Sequence, residues 1–118
     1  MGYRAHVVKA GHVVKAGGEN KYAGGEYFNR RSYEILVLFH NHNVKIEHEP
    51  FKYKTMWTIK ATELNALIAT LEESPDEVDE CFSEDMDLAL TNQELAYDFK
   101  EWVKEADKET GLIRILWY

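Results

Sequence analysis

The stretch FKYKTMWTIKATELNALIATL at residues 51–71 switches its hydrophobic period partway along, and this switch decides the fold class. Apolar and polar residues alternate through 51–60, which predicts a strand. One predicted face carries Phe51, Tyr53, Thr55, Trp57 and Ile59, and the other carries Lys52, Lys54, Met56, Thr58 and Lys60. Leu64, Leu67, Ile68 and Leu71 then recur at helical spacing, which predicts a helix that Thr62 can cap.

Upstream of this stretch, the signals favour strands with one ambiguous segment. Residues 44–49 alternate as a strand does, and Pro50 is expected to end that strand. Residues 30–42 contain a continuous apolar run that fits a buried strand, but their spacing also fits a helix, which we favour. At the N-terminus, AHVVKA at 5–10 recurs as GHVVKA at 11–16. The repeat predicts an edge strand of ambiguous register, because its even period keeps each side chain on its original face.

Downstream, the pattern is helical until the last residues. Ser74 before Pro75 and Glu77 predicts a short helix whose apolar side includes Cys81. Thr91 and Glu94 form a second capping box, opening a helix for which Gly111 is the expected C-terminal cap. Residues 112–118 alternate again and predict a final strand. We therefore expect residues 1–118 to form one α+β domain, a mostly antiparallel sheet with helices packed on one face.

Negative charge is concentrated in residues 72–87, which carry nine carboxylates and no Lys or Arg. The chain has a net charge of −7, so this segment alone exceeds the total. If the segment were helical, its charges would be spaced on the order of the phosphates of duplex DNA, at about 1.5 Å per residue against about 1.7 Å per charge. Such a patch predicts attraction of a basic partner, whereas the usual fate of a charge run is a solvated face.

The remaining composition excludes several classes. The net negative charge argues against direct nucleic-acid binding by the whole surface and against docking on anionic membranes. The single cysteine and the absence of a signal-peptide pattern predict a cytoplasmic protein. Cys81 has acidic neighbours that raise a thiol pKa, so we expect packing rather than nucleophilic chemistry. An EF-hand loop is excluded because no Gly occurs between Gly25 and Gly111.

Two alternative sites stay open on the sequence. A small metal-dependent nuclease or hydrolase would use His40, His42 and His48, with Glu47 completing the ligand set. It requires His40 and His42 in a strand, since in a helix they would point about 200° apart. A nucleic-acid-binding module would instead use the stripe of Lys52, Lys54 and Lys60, with Tyr22, Tyr27 or Phe28 stacking on bases.

The opening MGYRAHVV and the ending DFKEWVKEADKETGLIRILWY, without a catalytic motif, resemble the small acidic orphan proteins of bacteriophages and mobile elements. That resemblance implies a protein that inhibits host defence, including restriction and CRISPR nucleases, in some cases as a DNA mimic. It carries over no functional residues.

These observations together predict a non-enzymatic inhibitor or adaptor without cofactor or metal. Its partner would be a basic, nucleic-acid-binding protein, and a homodimer is conceivable. The predicted partner-binding residues are Glu72, Glu73, Asp76, Glu77, Asp79, Glu80, Glu84, Asp85 and Asp87.

Overall fold

The computed structural model describes residues 4–14, 20–23, 27–28, 31–51, 54–82 and 89–118. Within these ranges the strands are β1 (Ala5–Val7), β2 (Glu47–Phe51), β3 (Lys54–Lys60) and β4 (Leu112–Trp117). The helices are α1 (Ser32–Asn41), α2 (Ala61–Glu72) and α3 (Asn92–Val103), and a 3-10 turn spans Glu80–Phe82. None of the helices in this described part is long and apolar enough to cross a membrane.

The strands form one antiparallel sheet in the order β1-β4-β3-β2. The C-terminal strand β4 is therefore central, with Ile115 opposite Val7 on one side and Trp57 on the other. Its residues Ile115, Leu116 and Trp117 are fully buried, so β4 is covered on both faces. The alternating sequence at 112–118 is read correctly as a strand, although its position inside the sheet is not evident from that alternation.

The helices pack on one face of this sheet, as the sequence predicts for an α+β domain. Trp57, Ile59, Ile113 and Ile115 share one core with buried residues of all three helices. The helical contribution comprises Ile35, Leu38 and Phe39 from α1, Leu64, Leu67, Ile68 and Leu71 from α2, and Leu95, Ala96, Phe99 and Trp102 from α3. The helical stripe of 64–71 is thus the buried side of α2, as its spacing indicates.

Two further sequence predictions are confirmed. Within the ambiguous segment 30–42, Ser32–Asn41 form α1, which is the favoured alternative and places Ile35, Leu38 and Phe39 in the core. The Thr91 capping box is present, since Thr91 Oγ1 accepts from the Glu94 N–H at 3.2 Å and Glu94 Oε1 accepts from the Thr91 N–H at 3.1 Å.

The expected strand boundaries around Pro50 are wrong. Strand β2 runs through Pro50, because it is an edge strand where a missing N–H need not break the ladder. Phe51 at the end of β2 pairs with Lys54 at the start of β3, so residues 51–60 do not form one strand. Trp57 and Ile59 are buried as predicted. Lys52, Tyr53 and the side chain of Phe51 lie outside the described residues.

The expected caps at Thr62 and Gly111 are also wrong. Lys60 is the N-cap residue of α2 and makes no side-chain capping bond, and the Ala61 N–H instead donates to the Gly111 carbonyl at 2.9 Å. Helix α3 ends at Val103, well before Gly111. Gly111 has a φ of +70° directly before β4, a left-handed conformation that glycine adopts at little cost.

The short helix expected after Ser74 does not form. The Pro75 carbonyl accepts from the Gln93 N–H at 2.9 Å, and the Glu77 carbonyl accepts from the Asn92 N–H at 2.8 Å. Val78 forms an isolated β-bridge with Thr91. This segment thus satisfies N–H groups that the first turn of α3 would otherwise leave unpaired. Between residues 74 and 82, the part of the expected helix that the structure describes, the one helical turn is Glu80–Phe82.

Candidate functional site

The turn after α2 is fastened to the beginning of α3. In addition to the two backbone bonds from Asn92 and Gln93, the buried Asn92 side chain donates from Nδ2 to the Ser74 carbonyl at 2.9 Å. The turn therefore lies against the N-terminal end of α3, and its acidic side chains extend the acidic surface of that helix.

We define the acidic surface as Glu72 at the end of α2, Glu73, Asp76 and Glu77 of the turn, and Glu94, Tyr97 and Asp98 of α3. Tyr97 is 67% exposed. A cleft of about 390 Å³ is lined by Glu72, Pro75, Tyr97 and Lys100 together with Gln93 and Ala96. A second cleft of about 370 Å³ is lined by Glu94, Tyr97 and Asp98 together with Leu90 and Gln93. The Tyr97 ring thus borders two clefts, one that contains the Glu72–Lys100 pair and one that contains Glu94 and Asp98.

The negative charge of this surface is poorly compensated around Asp98. Partial burial, and then repulsion by Glu94 and Glu101, raises the pKa of Asp98 to about 6. Glu94 and Asp98 lie four residues apart on α3, a spacing at which like charges destabilise a helix. The chain contains no Lys, Arg or His between Lys60 and Lys100, so the neutralising charge must come from elsewhere.

Lys100 in α3 and Lys104 directly after the helix each form an ion pair. Lys100 Nζ lies 2.8 Å from Glu72 Oε2, and Lys104 Nζ lies 2.9 Å from Glu101 Oε1. Both pairs are largely exposed, and such pairs contribute only about 0–1 kcal/mol each. Glu72 is thus partly matched within the chain, and an incoming cation would compete with Lys100 for it.

The predicted partner-binding residues divide into three groups. Glu72, Glu73, Asp76, Glu77 and Glu80 are exposed. Asp79 is turned inward: it accepts from His42 Nε2 and from the Cys81 N–H, each at 3.1 Å. Glu84, Asp85 and Asp87 lie outside the described residues.

Asp79 has the electrostatics of a structural carboxylate. Burial by itself would raise its pKa, but the hydrogen bonds from the Cys81 N–H and from His42 outweigh that effect and lower the pKa. The same carboxylate and burial raise the pKa of the Cys81 thiol to about 12, with burial the larger cause. Asp79 therefore fixes the Glu80–Phe82 turn against the end of α1.

The sequence reasoning missed Glu94, Tyr97 and Asp98. The available signal was the helical position of Tyr97, which lies off the apolar stripe of Leu95, Phe99 and Trp102 and is thereby directed to solvent. The comparison of the acidic segment with a helical phosphate ladder also fails, because residues 73–79 are not helical.

The three histidines of the alternative metal site do not converge. His40 lies in α1, and His42 follows the helix and bonds Asp79, as expected if the two point in different directions. His40, Glu47 and His48 line a cleft of about 640 Å³. In the part of the chain that the structure describes, no three His, Cys, Asp or Glu residues form a group that could hold a metal ion.

That cleft also has no dominant charge. Lys45 and Lys60 line it, but Glu47 lines it as well, and Glu63 accepts a bond from the Lys45 N–H at 2.9 Å. Its apolar lining is formed by Leu36, Val44, Ile46 and Leu112.

The lysine stripe is divided between two environments. The ammonium of Lys54 lies 4.2 Å from the centre of the Tyr118 ring, whereas Lys60 lines the cleft beside α2. Lys52 lies outside the described residues. Of the proposed stacking residues, Phe28 is buried and packs against Trp102 at 5.5 Å, and Tyr27 contacts the same ring at 6.2 Å. Neither of these two rings is presented beside the lysines. The third proposed stacking residue, Tyr22, packs at 6.0 Å on the Tyr118 ring, the same ring that Lys54 contacts.

No family model, no curated protein and no solved structure matches this chain.

Proposed function

We propose that this chain is a non-enzymatic binding protein whose acidic surface occupies a basic, nucleic-acid-handling partner. The observation that carries the proposal is the continuity of the acidic turn with the exposed face of α3 around Tyr97. The surface combines an exposed aromatic residue with an excess of carboxylates, of which Glu72 is paired with Lys100. Interfaces draw much of their binding energy from central aromatic residues, and complementary charge accelerates association.

In this proposal each part of the surface has a distinct role. Glu73, Asp76 and Glu77 attract the partner over a range of about 8 Å at physiological ionic strength. Tyr97 packs against the aliphatic or guanidinium part of an incoming arginine or lysine. Glu94 and Asp98 then pair with its charged end, and a bidentate arginine pair is the strongest such contact.

The resemblance to phage proteins suggests the biological setting of this proposal. The partner would be a host defence nuclease or a related DNA-binding protein in the cytoplasm, and the acidic surface would take the place of nucleic acid. Binding and nucleic acid would then be mutually exclusive on the partner.

The test uses two triple variants with the same net charge. E73K/D76K/E77K reverses charge on the acidic surface, and E47K/E49K/E109K reverses three exposed acids elsewhere. The probe is a fluorescent arginine- and lysine-rich peptide, followed by anisotropy at low and at physiological salt. We expect the first variant to lose most of the binding and its salt dependence, and the control to retain both. Equal loss in the two variants would show that net charge alone drives binding, and the proposed surface would be wrong.

Competition tests the nucleic-acid part of the proposal separately. A duplex oligonucleotide is bound to a basic DNA-binding domain, and the chain is then added. Release of the duplex by wild type, but not by E73K/D76K/E77K, supports occupation of a nucleic-acid groove. If the chain binds the peptide but does not release the duplex, the proposal that it binds a basic protein is retained, and the proposal that it mimics nucleic acid is contradicted.

A further inference from the structure

Because of the N-terminal repeat, two segments of the chain have nearly the same sequence, and either could form strand β1 beside β4. The first copy, at 5–10, supplies β1, in which Ala5, His6 and Val7 lie opposite Trp117, Leu116 and Ile115. The second copy, at 11–16, does not belong to the sheet in its described part, and its Val13 is 72% exposed. We propose that β1 has two registers, and that the second copy can replace the first by a slip of six residues.

A slip of six residues preserves the chemistry of almost every position. His12 would take the place of His6, whose ring stacks on Tyr118 at 3.9 Å between ring centres. Val13 would take the place of Val7, which is 3% exposed in the core. Val14 would take the place of the buried Val8, and because the period is even, each side chain keeps its face of the sheet.

The backbone hydrogen bonds of β1 can be formed by either copy of the repeat, because they do not involve side chains. The Val8 N–H donates to the Arg114 carbonyl at 2.9 Å, and Arg4 exchanges two backbone bonds with Tyr118 at 2.8 and 3.0 Å. After the slip, Val14 and Ala10 present the same groups. The bridge from Val8 to Tyr22 would pass to Val14, which shortens the intervening loop from residues 9–21 to residues 15–21. By chain statistics the shorter loop favours the second register by about 2.5-fold.

Other contacts favour the register that the structure contains. Ala5 is fully buried and its counterpart is Gly11, so the slip removes a buried methyl group and places glycine in a strand. That change opposes the slip by roughly 5- to 30-fold. The slip also breaks the bond from Arg114 Nη2 to the His12 carbonyl and the bond from the Ala10 N–H to Glu105. We therefore expect the second register to be a minor one, on the order of a tenth of molecules or fewer.

The test is a double-mutant cycle at the two equivalent valines. V13D alone is expected to leave the urea midpoint unchanged, because Val13 is exposed. V7D is expected to fold with a lowered midpoint, because the chain slips and Val13 enters the core. V7D/V13D has no intact copy and is expected to lose far more than the sum of the two single changes. Equal midpoints for V7D and V7D/V13D, whether high or low, would overturn the proposal.

Two measurements locate the strand directly. In V7D, amide hydrogen-exchange protection should move from residues 4–8 to residues 10–14. The A5G variant keeps the core valines and makes the two copies identical, so it should raise the minor register and give a second set of NMR signals for Leu116. Protection that stays on the first copy in V7D, or a single set of signals in A5G, contradicts a second register.

Discussion

The His42 side chain donates from Nε2 to Asp79 Oδ2 at 3.1 Å and so connects the end of α1 to the turn of Glu80–Phe82. The same carboxylate accepts the Cys81 N–H through Oδ1 at 3.1 Å. The sequence predicts His42 as a candidate metal ligand and Asp79 as a partner-binding residue. In the structure the two side chains are hydrogen-bonded to each other instead. This contact anchors the middle of the acidic segment of residues 72–87.

Asp79 should stabilise the fold in a pH-dependent way. Its folded pKa lies below 3.8, so its ionised form favours folding at every pH above that value. The contribution is lost as the pH falls through the folded pKa. We expect D79N to lower the free energy of unfolding by about 1 kcal/mol at pH 7, because asparagine keeps one acceptor but loses the charge. Urea unfolding at pH 7 and in strong acid measures this difference, which should disappear at the lower pH. A penalty that persists at both values would point to packing instead.

Cys81 should react with thiol reagents more slowly than an exposed, unperturbed cysteine does. Burial and the Asp79 carboxylate raise its pKa to about 12, which leaves very little thiolate at pH 8. A disulfide reagent should modify it much more slowly in the folded protein than in urea. D79N should accelerate the folded-state reaction, and E109Q serves as the control because Glu109 is exposed and distant in sequence. A rate in the folded state equal to that in urea would contradict this environment.

The secondary-structure elements that the sequence predicts correctly are those whose formation depends on residues close together in sequence. The change of period between β3 and α2 and the capping bond between Thr91 and Glu94 both depend on spacings of a few residues. The predictions fail where the local conformation depends on hydrogen bonds to residues far away in sequence. Pro75 and Glu77 read as a helix start, but their carbonyls bond to Gln93 and Asn92, which no local pattern indicates.

In the candidate site too, the features that depend on local sequence are predictable and those that depend on tertiary contacts are not. The acidic turn is visible as composition, but its continuation onto α3 requires the turn to be placed beside Asn92. Tyr97 could have been assigned to solvent from its helical position, whereas one of the two clefts that it borders depends on Glu72 and Pro75, which lie far from it in sequence.

Asp98 should destabilise the free protein at neutral pH. Its folded pKa is about 6 against a reference of 3.8, so the folded state holds the proton more tightly than the unfolded state does. The stability that the protonated form confers is complete below pH 3.8 and is lost as the pH rises through about 6. D98N should therefore raise the thermal midpoint at pH 7 and leave it nearly unchanged at pH 3.5. A midpoint that falls at pH 7 would show that the Asp98 charge is compensated in the fold.

Tyr97 should carry more binding energy than an equally exposed tyrosine elsewhere. Tyr97 is 67% exposed within the acidic surface, and Tyr33 is 73% exposed at the start of α1, which makes it a matched control. We expect Y97A to weaken binding of the basic peptide by about 2 kcal/mol, roughly 30-fold, because a central aromatic residue is lost. Y33A should bind as wild type does, and both variants should keep the wild-type thermal midpoint. The loss in Y97A should persist at high salt, since it reflects packing and cation–π contact rather than long-range attraction. If Y97A and Y33A bind equally well, the partner contacts the carboxylates without using the ring between the two clefts.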